Sequence, residues 1–229
     1  MENVVRKLEK IIEDMEAAPR KAHGLVNMPK RSSNTKIKSI TNPWAPGSAV
    51  ATALDTFGAR IEDAESRSKL QELRDEVKEA LGAEAVDAAE GVYNAARLYR
   101  YLRINKMDVQ DAKAMTIVNL NAREEFQMDA KRRLIVEQDL RFDTLPRMQE
   151  FIQVQPMNPM VGTSICGDHV GYVCWGSGVN FEGLKKSFTV EEYLDIVMYN
   201  IELARLRLDA DCAIKGRDIA FVLLYDMGV

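Results

Sequence analysis

The chain has 229 residues, 46% hydrophobic and 29% charged, with a formal net charge of −4; that composition supplies apolar material for a real core and excludes disorder along the whole length. No window approaches eighteen uninterrupted apolar residues, and Met1 to Met15 alternates charge with hydrophobics, so neither a membrane span nor a secretory leader is expected. Three cysteines, Cys166, Cys174 and Cys212, are an odd number without paired close spacing, which excludes a disulfide framework and places the protein in a reducing compartment.

Residues 3–17 read as an amphipathic helix, because Val5, Leu8, Ile12 and Met15 recur at spacings of three and four. Pro19 stops it after about two heptads, too short for a free coiled coil, so its apolar stripe needs a partner surface. Residues 19–47 carry Pro19, Pro29, Pro43 and Pro46 and read as an extended arm. Between Glu16 and Asp55 there is no acid, while Arg20, Lys21, Lys30, Arg31, Lys36 and Lys38 make this interval basic. The expectation is a basic arm on an acidic body.

Ser48 is a plausible N-cap for a helix with Val50, Leu54, Phe57 and Ile61 on its apolar side. A more charged helical stretch follows through Leu70, Leu73, Val77 and Leu81 and closes at Gly82. The pattern predicts a further helix over about Ala83–Asn105 and another starting at Asp108 to Asp111. From there helical composition runs to about Leu140 without a glycine or proline. Thr144 and Pro146 suggest the cap and first turn of one more short helix, ending before Pro156.

At Pro156 the composition changes. Two β-forming runs, Met160–Cys166 and His169–Trp175, flank Gly167-Asp168, which suggests a hairpin with a two-residue turn. Thr189 to Glu192 has the form of a capping box, and Phe188 with Tyr193 suits the accompanying hydrophobic staple. The helix it opens carries Leu194, Val197, Met198, Ile201, Ala204 and Leu208 as a stripe, widened by Tyr193, Ile196 and Leu203, and ends at Gly216. Residues 219–225 are apolar throughout and fit either a buried strand or a short buried helix. The fold class expected is mainly α: a helical-bundle body (48–155), an N-terminal helix and extended arm (1–47), and a C-terminal region (156–229) that carries a small hairpin near 160–176 and packs on the same core.

Candidate functional residues fall into three groups. The arm cations could meet phosphates or the acidic body of a second copy. On a helix, Arg97, Arg100, Arg103 and Lys106 recur every three residues with Tyr99 and Tyr101 interleaved, a row that either grips a phosphate backbone or pairs with carboxylates of its own chain. Lys131 to Arg133 repeats the theme. Across a two-residue turn Cys166 would oppose His169, which allows a thiolate–imidazole pair beside Tyr172 and Trp175 and hence an enzyme or small-molecule site.

Two histidines, His23 and His169, are too few for a di-iron helix bundle, and no phosphate loop, dinucleotide fingerprint or nucleophile elbow occurs. No metal or cofactor is expected. Met107, Met115, Met128, Met148, Met157 and Met160 either fill the core or form an adaptable surface. The sequence favours a structural, self-assembling protein, coat-like or filament-like, that associates through Val5, Leu8, Ile12 and Met15 and the basic arm, with nucleic acid as a further contact and a cytoplasmic or viral-assembly setting. An enzyme using Cys166 and His169 is the alternative.

Overall fold

A computed structural model describes residue 53 and residues 56–88, 93–176 and 178–227. The expected N-terminal helix, the arm and the Ser48 cap lie outside these residues. The described residues form eight α-helices and a three-stranded sheet: α1 (Ala64–Leu81), α2 (Ala83–Ala88), α3 (Ala95–Ile104), α4 (Val109–Glu125), α5 (Met128–Glu137), α6 (Met148–Val154), β1 (Met157–Thr163), β2 (His169–Cys174), α7 (Phe181–Ser187), α8 (Val190–Lys215) and β3 (Phe221–Asp226). The mainly helical class with a small β element is as the sequence predicts.

Most helix starts are written in single residues. Asp63, Asn94, Asp108 and Asn180 each accept the backbone N–H three residues on, at 2.8–2.9 Å, and so satisfy donors that have no partner inside α1, α3, α4 and α7. Thr189 and Glu192 form the complete capping box of α8, and Gly216 closes that helix at φ +64. The staple residues Phe188 and Tyr193 do not meet alone: both rings pack on Phe151 of α6, at centroid distances of 5.8 and 5.5 Å.

Three predicted helices are divided. Asn94 begins a new helix inside the stretch expected to run from Ala83 to Asn105. Gln127 turns into the left-handed region at φ 51 and splits the 109–140 stretch into α4 and α5, with no glycine or proline to announce it. Phe57 lies in a 3-10 turn with Arg60, and Asp63 caps α1 afresh. Thr144 ends a separate 3-10 turn, Phe142–Thr144, and α6 starts only after Arg147, at φ 55.

Two apolar clusters result. One gathers Leu73, Val77, Leu98, Leu102 and Ala112 from α1, α3 and α4, with Phe57, against Leu208, Cys212 and Ile219. The other gathers Ile135, Met148, Phe151 and Leu184 from α5, α6 and α7 against Ile196, Leu203 and Leu206. The 26-residue α8 supplies both, Ile196, Leu203 and Leu206 to the second cluster and Leu208, Cys212 and Ala213 in its last turns to the first. Apolar burial over such a length is the main stabilising term, about 25 cal/mol per Å2.

The sheet has the order β1-β2-β3, antiparallel between β1 and β2 and parallel between β2 and β3. Residues 219–225 therefore resolve as a strand from Phe221 onward. α7 and α8 form the crossover that a parallel connection requires. Among the described residues no helix is long and apolar enough to cross a membrane.

Replacing Thr189 by Ala removes the α8 cap and should lower unfolding free energy by about 1 kcal/mol, read by urea denaturation at pH 7; an unchanged midpoint would contradict the anchoring role given to this helix start.

Candidate functional site

α8 carries Glu202 and Asp209 seven residues apart, two turns of helix, which places both on one side of the element, among its buried residues. Both side chains are fully buried. An unpaired buried carboxylate is expensive, so each must be met by cations. Arg97 of α3 donates from Nε to Asp209 Oδ2 at 2.9 Å, and Arg100 Nη2 lies 2.5 Å from Asp209 Oδ1. Arg123 of α4 reaches Glu202 at 2.7 Å and also holds Asp129, while Arg132 of α5 lies 3.3 Å from the same Glu202. Arg103 and Arg100 converge on Asp218, beyond the end of α8, at 2.6 and 3.7 Å.

The protonation states follow. Burial raises the pKa of Asp209, but Arg97 and Arg100 outweigh it and hold the carboxyl below its ordinary range. Glu202 is likewise pushed up by burial and brought below its usual value by Arg97 and Arg123. Burial opposes the charge of Arg97, yet Asp209 and Glu202 hold that guanidinium more firmly protonated than usual. Arg132 and Arg205 are lowered, by burial first and by their neighbour Arg97 second, although arginine stays charged at any working pH.

The row read from sequence is thus turned inward at Arg97 and Arg100, whereas Arg103 keeps more than half of its side chain exposed and Lys106 is exposed beyond the end of α3. Lys131 pairs with Asp195 at 2.7 Å and also donates to the Phe126 carbonyl. The residues the sequence reading passed over are Glu202, Asp209 and Arg123, and Arg132 entered only as part of the basic run Lys131 to Arg133. Their signal in the sequence was slight: two acids two turns apart in a helix that carries other charges as well.

The hairpin differs from its predicted form. His169 pairs with Thr163, and Ser164 to Asp168 make a five-residue loop. The Ser164 hydroxyl accepts the N–H groups of Cys166 and Asp168 at 3.2 and 3.1 Å, and the Ser164 N–H donates to the Asp168 carbonyl at 2.8 Å, which closes a wider turn than Gly167-Asp168 alone. Cys166 is exposed on this loop, whereas His169 is buried and its Nε2 lies 3.0 Å from the Asp211 carboxylate on α8. The fold does not oppose Cys166 to His169, because the hydroxyl-stabilised loop moves the thiol three residues beyond the paired position. Burial lowers the His169 pKa, which leaves the ring neutral at pH 7. Lys215 and Arg217 clasp the loop through the Gly167 and Cys166 carbonyls, and Asp168 accepts the Ala220 N–H at 3.1 Å.

The remaining surface feature is the sheet itself. His169, Gly171 and Val173 of β2 are buried toward α8, as the His169–Asp211 contact fixes. The opposite face carries Val170 and Tyr172 beside Val222 and Leu224, whose relative exposures are 42% and 51%. Tyr172 donates its hydroxyl to Asp226 at 2.9 Å on that face, and burial followed by this carboxylate raises its pKa. No protein-family model matches the chain, and no curated protein is significantly similar to it.

Val5, Leu8, Ile12, Met15, Arg20, Lys21, Lys30, Arg31, Lys36 and Lys38 lie outside the described residues. Met128 and Met148 are core residues, Met107 and Met157 are half-buried, and Met115 is exposed. Among the described residues no group of three or more His, Cys, Asp or Glu side chains could hold a metal ion.

Replacing Glu202 by Gln leaves Arg132 without its carboxylate and Arg123 with Asp129 alone, and should cost about 3–5 kcal/mol in urea unfolding at pH 7. The acid limb follows from the same pair. Carboxyls whose folded pKa lies below the unfolded value, near 4, stabilise fully above about pH 5, and the contribution is lost as pH falls through the folded pKa. Unfolding free energy should therefore drop between about pH 5 and pH 2, and Asp209→Asn should flatten that slope while lowering stability at neutral pH.

Proposed function

We propose that the protein is a structural component that self-associates, its helical body serving as scaffold and its open sheet and N-terminal arm serving as contacts. The observation that carries this reading is the apolar exposure on the second face of the β2–β3 pair, where Val222 and Leu224 are 42% and 51% exposed. Parallel strands are ordinarily buried on both faces, since their crossovers lay helices over them. Here α8 supports one face, and Val222, Leu224 and the half-buried Val170 and Tyr172 are left on the other. An apolar strand without charge from Ile219 to Tyr225 lacks the lysines, prolines and inward charges that blunt natural edges. Such a surface suits association better than solvation.

Nucleic acid contact belongs to this proposal only through the arm cations and Arg103, since Arg97 and Arg100 are committed to Asp209. A cytoplasmic or viral-assembly setting accords with three free thiols. A second reading, a small-molecule binder beside the hairpin, draws on the same open face: Val222, Leu224 and Tyr172 offer an apolar ligand a shallow bed with one polar handle. Cys166 and His169 have no part in it.

Light scattering on the full chain over a concentration series tests the first reading. Masses above the monomer are expected, decreasing at high salt and on replacing Arg20, Lys21, Lys30, Arg31, Lys36 and Lys38 by Gln, because contacts between exposed charges are screened within about 8 Å at physiological ionic strength. A monomer at every concentration and salt would overturn it.

A further inference from the structure

We infer that two copies of the chain join by antiparallel pairing of their β3 edges about a two-fold axis through Leu223, a contact that rests on the self-association proposed above. The two edges of the sheet are not equivalent. β1 is irregular in register between Asn158 and Gly162 and has Pro159 within it, so its outer ladder is interrupted by a bulge and a missing donor. β3 has neither device.

The main chain of β3 determines which groups face outward. The Ala220 and Asp226 carbonyls accept from His169 and from Trp175 on the β2 side, so the even-numbered residues of β3 address β2. The N–H and C=O groups of Phe221, Leu223 and Tyr225 then point away from β2, to an edge that has no further strand among the described residues. In an antiparallel pair, residues that point toward each other exchange two hydrogen bonds. A two-fold at Leu223 pairs Leu223 with itself and Phe221 with Tyr225, and so uses every outward group of the strand.

Side chains agree with that register. Val222 of one copy falls opposite Leu224 of the other on the open face, and Phe221 falls opposite Tyr225 on the α8 side, both favourable cross-strand combinations. Charge agrees as well. Ile219 to Tyr225 is uncharged, and Asp226 of each copy comes opposite Ala220 and away from its own counterpart. The paired copies form one continuous sheet across an isologous interface, which closes as a dimer instead of growing as a fibre.

Cysteine pairing tests the register in the full chain carrying Cys166→Ser, which removes the exposed thiol. Under mild oxidation, Leu223→Cys should give a covalent dimer, because paired α-carbons about 5.5 Å apart suit a disulfide. Val222→Cys and Leu224→Cys should each cross-link poorly alone and well when mixed. In reduced protein, Leu224→Lys with an unchanged circular dichroism spectrum should raise the dimer dissociation constant at least tenfold. Equal cross-linking at all three positions, or a dimer by sedimentation that Leu224→Lys does not weaken, would overturn this contact and leave self-association standing. A monomer at all concentrations would overturn both.

Discussion

Two buried carboxylates on one helix govern this structure. Glu202 and Asp209 lie inside the body, where a lone negative charge would shift its equilibrium toward protonation or unfolding, and each is met by guanidinium groups from other helices. α3 must bring Arg97 and Arg100 to one level of α8, and α4 and α5 must bring Arg123 and Arg132 to another, two turns away. Apolar contacts alone would tolerate small slides between helices. Paired buried charges do not, because a slide of one turn leaves a charge without its partner.

That constraint also explains where local signals failed. Residues 109–140 contain neither glycine nor proline and read as one helix, yet the chain turns at Gln127. A straight helix would separate Arg123 from Arg132 by about 13 Å along its axis. The left-handed turn brings both to Glu202, so tertiary ion pairing overrides helical propensity. Asn94 divided another predicted helix for a local reason, since its side chain caps Arg97 and fixes the start of the arginine row.

Where one or two residues carry a self-contained signal, the sequence was legible. Asp108, Thr189 with Glu192, and Gly216 mark real helix ends, and the stripe of α1 faces the core. In α8 only Leu194 and Leu208 of the expected stripe are buried; Val197, Met198, Ile201 and Ala204 are half-buried, and Ile196, Leu203 and Leu206 lie deeper. The hairpin was legible as two strands but not as a turn, because the deciding group was the Ser164 hydroxyl, whose two backbone partners are set by the folded loop. The pairing of α8 acids with distant arginines spans 79 residues for Arg123–Glu202 and 112 for Arg97–Asp209, beyond the reach of any periodicity. Parallel pairing of β3 with β2 was equally invisible, as a short apolar run gives neither direction nor partner.

The buried carboxylates of α8 are thus met within the body, and among the described residues β3 has exposed apolar side chains and a main-chain edge without a neighbouring strand. Amide hydrogen exchange across a dilution series addresses this directly. The account predicts that the Val222 and Leu224 amides, which face β2, stay protected at every concentration, while those of Phe221, Leu223 and Tyr225 exchange rapidly when dilute and become protected as concentration rises. Protection of the outward amides that is independent of concentration, or absent at the highest concentration reached, would contradict it.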